Sequence, residues 1–165
     1  MKRQSTAGLL RLFADVLDEL RRRGVVRSSN NPVADLAESI GKVAFKLKLT
    51  DGSNPGYDGK GPGGHRYQIK GRRQTAHNMS TQLGAIRNLN RDNFDYLVAI
   101  LFDEHFRVKK ALRMKRAVVK RHARWSDHVH AHLLTLTGLV LDDALVQDVT
   151  RRVQWASRAV LRVSH

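Results

Sequence analysis

Residues 94–102 read Phe-Asp-Tyr-Leu-Val-Ala-Ile-Leu-Phe, an apolar run of strand length, which predicts a strand buried in the middle of a sheet. Such a strand needs paired neighbours and a covered face, so the rest of the chain has to supply further strands and helices to pack on them. With 165 residues, 41% of them apolar, there is material for one such core and hardly for two.

The flanking periodicities supply those elements. Leu9, Leu10, Phe13, Val16, Leu17 and Leu20 recur at helical spacing over Ala7–Arg23, and Gly24 ends the run. Asn31 and Pro32 have the chemistry of a second helix start, with Leu36, Ile40 and Leu47 along one face. The alternation Val43, Phe45, Leu47, Leu49 reads equally as a strand. Loop chemistry follows in Thr50–Pro55, and the Gly61-Pro62-Gly63-Gly64 turn predicts a hairpin pairing Tyr57–Lys60 with His65–Gly71. Beyond it the expectation is a helix over Met79–Leu89 capped by Ser80 and a strand over Phe106–Leu112. A basic helical turn over Ala117–His122, a strand over Val129–Leu136 and a closing helix over Asp148–Val160 complete the set. The sum is an α/β or α+β domain with a mixed central sheet, without internal repeats.

Charge narrows the partners. The chain carries 30 Lys+Arg against 15 Asp+Glu, a formal net charge of +15. A surplus of that size repels itself unless something anionic relieves it. It is also clustered: residues 59–91 hold no acid, and neither do residues 105–126. Nucleic acid is the expected partner rather than a membrane, because no apolar stretch reaches the roughly 20 residues of a membrane span and no basic helix carries bulky apolar anchors. Cysteine is absent, which removes disulfides, thiolate nucleophiles and thiolate metal sites. Acids at Asp15, Asp18 and Glu19 interrupt the N-terminal apolar run where a signal sequence would be uniform, so the expected location is cytoplasmic.

The segment GYDGKGPGGHRYQIKGRR carries the chemistry. Folding it about Gly63 places Asp58 within about a residue of Gln68 across the ladder, near enough to share one ion. Asp58, the Gln68 amide oxygen and the Ile69 backbone carbonyl are hard oxygen donors suited to a divalent cation. Lys70, one side-chain period beyond Gln68, lies on the same face, where it can position or deprotonate a water and offset charge on a phosphate.

With these residues the chain resembles the PD-(D/E)xK (restriction-endonuclease-like) nuclease superfamily, in which an acid is followed after a variable gap by an acid-x-Lys on the adjoining strand. The pattern NPVADLAE, GYD, YQIKGRR and FDYLVAILFDE, over residues 30–112, looks like small prokaryotic members of it. The resemblance implies a single nuclease-like domain over residues 1–165, with residues 1–29 as an N-terminal helix and 113–165 as a basic segment, strand and C-terminal helix. It implies a Mg²⁺-dependent endonuclease acting on DNA, with Mn²⁺ able to substitute, and Glu38, Asp58, Gln68 and Lys70 as the catalytic set. Glu38 stands on the preceding helix as a further metal ligand beside Asp58, Gln68 and Ile69. The chain departs from the pattern at Gln68, where the superfamily usually has Asp or Glu. A neutral amide binds a cation less strongly, which makes a binding protein that has lost efficient catalysis the alternative.

Arg72, Arg73, Ser80 and Gln82, then Lys109, Lys110, Arg113, Lys115 and Arg116, are the expected contacts to the nucleic-acid backbone. Double-strand cleavage by so small a subunit implies a homodimer or higher homo-oligomer. Trp125 is expected to close the core, with stacking on a base as the alternative. His128, His130 and His132 alternate as on one strand face, too far apart to share one zinc ion.

Overall fold

A computed structural model describes residues 4–50 and 56–162. Helix α1 (Thr6–Arg22) starts at Ser5, whose hydroxyl accepts from the Gly8 amide, and stops before Gly24 at φ 68°. Only Leu17 of this helix is buried, and Leu9, Leu10, Leu12, Phe13 and Val16 remain exposed. Helix α2 (Val33–Phe45) follows Pro32, with the Asn31 side chain accepting from the Val33 amide, and ends at Lys46 in the left-handed region. The helical reading of Val43–Leu49 therefore holds only to Phe45, and the extended reading only for β1 (Lys48–Leu49).

Strand β2 (Gly59–Lys60) ends at Lys60 as its sequence suggested but begins two residues later than Tyr57, and a 3₁₀ turn at Pro62–Gly64, with Gly63 and Gly64 at positive φ, closes the hairpin. Then come β3 (Arg66–Arg73), β4 (Tyr96–Phe102) and β5 (Val108–Lys115), helix α3 (Arg116–His122), strands β6 (Arg124–Ser126) and β7 (Ala131–Leu133), and helix α4 (Gly138–Leu141). Strand β8 (Gln147–Asp148) and helix α5 (Thr150–Leu161) end the order. The expected strand at Phe106–Leu112 starts at Val108, since Phe106 lies at φ 60° in the turn after β4. The Thr50–Pro55 loop falls, after Thr50, outside the described residues.

Six strands form one sheet in the order β1-β2-β3-β4-β5-β8, antiparallel except for the parallel pair β3 and β4. This is an α+β domain with a mixed sheet. Strand β4 lies inside it with all but Tyr96 buried. On one face Ile69, Val98, Ile100 and Phe102 pack with α2 and α5. On the other, Leu97, Ala99, Leu101 and Met114 pack with α3 and with the connection from β3 to β4.

That connection corrects one expectation. Met79–Leu89 is not a helix, although Leu83, Ile86 and Leu89 are buried at a spacing of three. Its backbone is spent on bridges to other segments, Gln82 with Thr135 and Ile86 with His132. The Ser80 hydroxyl accepts from the Gln82 amide in a side-chain turn instead of capping a helix. The strand expected over Val129–Leu136 contracts to Ala131–Leu133, paired with β6, and His130 sits at φ 45°. The three histidines therefore do not share a strand face.

Helix α2 runs antiparallel to β3 at very close range. A Cβ on Gly71 would stand 2.8 Å from the Val33 carbonyl oxygen and 2.9 Å from Ala37 Cβ, and one on Gly41 would collide with Ile69 Cδ1. Replacing Gly71 with alanine forces helix and strand apart, so Gly71→Ala is expected to cost about 1–3 kcal/mol. Urea unfolding measures it, and an unchanged midpoint would show that the close approach is not required.

Candidate active site

The site forms where β2 ends and β3 continues. Gly59 and Lys60 face Tyr67 and Arg66, and the Asp58 amide donates to the Tyr67 carbonyl at 2.8 Å. The same register sets Asp58 opposite Gln68, as the hairpin reading expected. Because successive strand residues turn their backbone groups to opposite edges, Ile69 directs its N–H and C=O to the side where β2 has stopped. The Ile69 N–H donates to Asp58 Oδ2 at 2.6 Å. The Ile69 carbonyl on that edge is thus placed beside the Asp58 carboxylate.

Gln68 and Lys70 share the opposite face from Tyr67 and Ile69, aligned with Leu97 and Ala99 of β4. Gln68 is buried, and its Oε1 has no hydrogen-bond partner. Glu38 comes from α2, whose residues 33–41 lie along Gly71 and Ile69. A sequence signal for the next participant is lacking: Arg27 pairs with Glu38. Asp35, in the first turn of α2, accepts from the Arg27 and Ser28 amides and from the Ser28 hydroxyl, which fixes that connector over the helix.

Burial and neighbouring charge act on all three ionisable groups. Burial raises the Asp58 pKa, against the Ile69 N–H and the charges of Lys70 and Arg27. Burial and then the Asp58 charge raise that of Glu38, against Arg27. Burial lowers the Lys70 pKa, opposed by Asp58 and Glu38 and assisted by Arg87. These couplings show that Glu38, Asp58, Lys70, Arg27 and Arg87 share one electrostatic neighbourhood. Arg87 belongs to the acid-free stretch, but the helix expected there gave no reason to aim it at Lys70.

Among the described residues no group of three or more His, Asp or Glu side chains could hold a metal. The donors present are two carboxylates, an orphaned amide oxygen and a strand-edge carbonyl. In donor chemistry this set fits a hard cation: a divalent ion would give the Gln68 oxygen a partner and counter the repulsion between Asp58 and Glu38.

The expected backbone contacts do not form one surface. Arg72 lies on the Lys70 face, donating to Asn78 Oδ1 at 3.2 Å and to the Ser80 carbonyl at 3.4 Å, with Gln82 hydrogen-bonded to Ser80. Arg73 and Arg113 instead cover Phe106 and Tyr96, rings belonging to the α2 and α5 side. Lys109 donates to Gln74, Lys110 pairs with Asp148 and Arg116 pairs with Asp92. Lys115 is exposed. Arg72, Ser80 and Gln82 are thus grouped with the site, and the second basic stretch is dispersed. Trp125 is 54% exposed, contrary to the expectation that it closes the core.

The chain matches no protein-family model, and no curated protein is significantly similar to it.

The buried Gln68 oxygen, left without a donor, carries a desolvation cost. Gln68→Met, which keeps the volume and removes the amide, is expected to stabilise the protein by about 1–2 kcal/mol in EDTA, as measured by chemical denaturation. A loss of stability of that size would mean that the amide is already satisfied.

Proposed function

We propose that this chain is a Mg²⁺-dependent endonuclease that hydrolyses phosphodiester bonds in DNA, on a restriction-endonuclease-like fold. The observation that carries the reading is the buried, unpartnered Gln68 oxygen at a strand end flanked by Asp58 and Lys70. Further support comes from Glu38 on the preceding helix and from the mixed sheet between helical layers, both of which the resemblance implies.

In this reading Asp58, Glu38, the Gln68 amide oxygen and the Ile69 carbonyl would hold the ion. When bound, it supplies Lewis acidity, offsetting charge on the phosphate and lowering the pKa of the attacking water. Lys70, whose burial favours its neutral form, orients that water and takes its proton. Arg87 and Arg72 stand near enough in the fold to receive the phosphate backbone on the Lys70 side. Arg27 acts as the counter-charge of Glu38 and opposes the rise that burial and Asp58 impose on its pKa. Two active sites for cutting both strands come from a homodimer or a larger homo-oligomer.

A second reading has a specific observation in its favour, namely the neutral Gln68 and the absence of a third carboxylate among the described residues. It makes the chain a nucleic-acid-binding protein with weak or no catalysis.

Supercoiled plasmid and a mixed-sequence DNA library, incubated with Mg²⁺ or Mn²⁺ or with EDTA, separate the two. The nuclease gives nicked or linear product only with metal, and Lys70→Ala and Asp58→Ala each reduce the rate by about 100-fold or more. DNA left intact but bound equally by all three proteins favours the binding scaffold. Gln68→Glu tests the ligand set separately: it is expected to lower the metal concentration needed for half-maximal cleavage.

A further inference from the structure

The exposed Trp125 belongs to a cavity of about 700 Å³ beside the β6–β7 ribbon, lined among others by Gln82, His122, Arg124, Thr135 and Leu139. That volume lies in the range of small-molecule sites, roughly 300–1,000 Å³. The indole is held at two points rather than left loose. Its Nε1 donates to Asp127 Oδ1 at 2.7 Å, and the His132 ring meets it edge-on with centroids 5.2 Å apart. An aromatic ring fixed in orientation yet more than half exposed loses little freedom when another flat ring stacks on it.

The surrounding charge selects the ligand. Arg124 and His122 line the cavity, and none of its lining residues is acidic. Of the nearby carboxylates, Asp127 is engaged by the indole and Asp143 by His122 at 2.8 Å and Arg121 at 3.0 Å, while the exposed Asp142 stands outside the lining, beside Gly138. Leu139, 78% exposed, adds apolar wall, and Gln82 and Thr135 add side chains able to hydrogen-bond a polar ring edge. A flat ring with polar edges joined to an anionic phosphate is a nucleotide.

The cavity also connects to the candidate active site. Gln82 is bridged to Thr135 and hydrogen-bonded to Ser80, and the Ser80 carbonyl receives Arg72, two strand positions beyond Lys70 on the same face. We propose that this cavity receives an unpaired base of a DNA strand, stacked on Trp125, with the adjoining phosphate held by Arg124. The assignment rests on the reading of the chain as a DNA-binding protein, but not on its cleaving DNA.

The test uses the full chain with Trp155→Phe, so that Trp125 is the sole tryptophan, in EDTA to prevent cleavage. Indole emission and the anisotropy of labelled DNA are followed with a thymidine oligonucleotide, and with the same strand annealed to its complement. The expected result is saturable quenching by the single strand and little by the duplex. In the same background Trp125→Leu weakens single-strand binding by on the order of 10-fold or more and leaves duplex binding unchanged, while Trp125→Phe retains most of it. Circular dichroism of each variant confirms that the fold is kept. DNA that binds by anisotropy without changing the emission, and equally well to Trp125→Leu, overturns the proposal while leaving DNA binding intact. Absence of any DNA binding by anisotropy overturns both this assignment and the reading it rests on.

Discussion

The contact on which most of the arrangement depends is the one between α2 and β3. It is made close by what is missing: Gly71 leaves room for the Val33 carbonyl and for Ala37, and Gly41 leaves room for the Ile69 side chain. With no side chain to hold the two backbones apart, Phe45 at the other end of the helix stacks on Tyr67 at 5.6 Å, and Tyr67 stacks in turn on Tyr96 at 5.3 Å. Helix α5 then locks the pair, since Arg152 donates to the Ala44 carbonyl at 2.6 Å and covers the Phe45 ring. Glu38 reaches the Asp58 neighbourhood because the helix that carries it is held this near to the strand edge.

The candidate site departs from what stability alone would select. Two carboxylates are displaced toward their neutral forms, an ammonium is displaced the same way, and an amide oxygen is buried without a donor. Each works against folding, and the two apolar layers on either face of the sheet absorb the cost. Perturbed ionisable groups gathered at one place mark functional sites more often than structural ones. The salt bridges elsewhere in the chain are the opposite case: Asp148, held at a pKa of about 2 mainly by Lys110 and Thr150, gains from its partners.

How far the sequence could be read follows from the range of the interactions involved. Helices α1, α3 and α5, strand β4 and the placing of Asp58 opposite Gln68 are local matters of periodicity, capping and turn chemistry, and they were legible. The β3–β4 connection was not, because burial of Leu83, Ile86 and Leu89 at intervals of three imitates a helix while the backbone pairs with residues about 50 positions away in sequence. The same limit applies to side-chain destinations. Adjacent Arg72 and Arg73 project to opposite faces of β3, and no spacing rule connects Arg27 to Glu38 across the connector that Asp35 ties down.

Strand β4 carries a consequence for the chain before it folds. Tyr96–Phe102 is an uncharged, proline-free segment of high β propensity, the composition that favours intermolecular cross-β stacking. Its parallel pairing with β3 requires the whole intervening connection to close first, and non-local pairing of this kind forms slowly. During that interval only the local hairpin with β5 covers the segment, and the edge that β3 will occupy is open. Asp95 and Asp103 bracket it directly, and the positive surplus of the chain keeps separate molecules apart, so these charges act as gatekeepers against aggregation as well as on partners of the folded state. Polyanions or high salt that screen the surplus before β3 and β4 have paired would remove that protection.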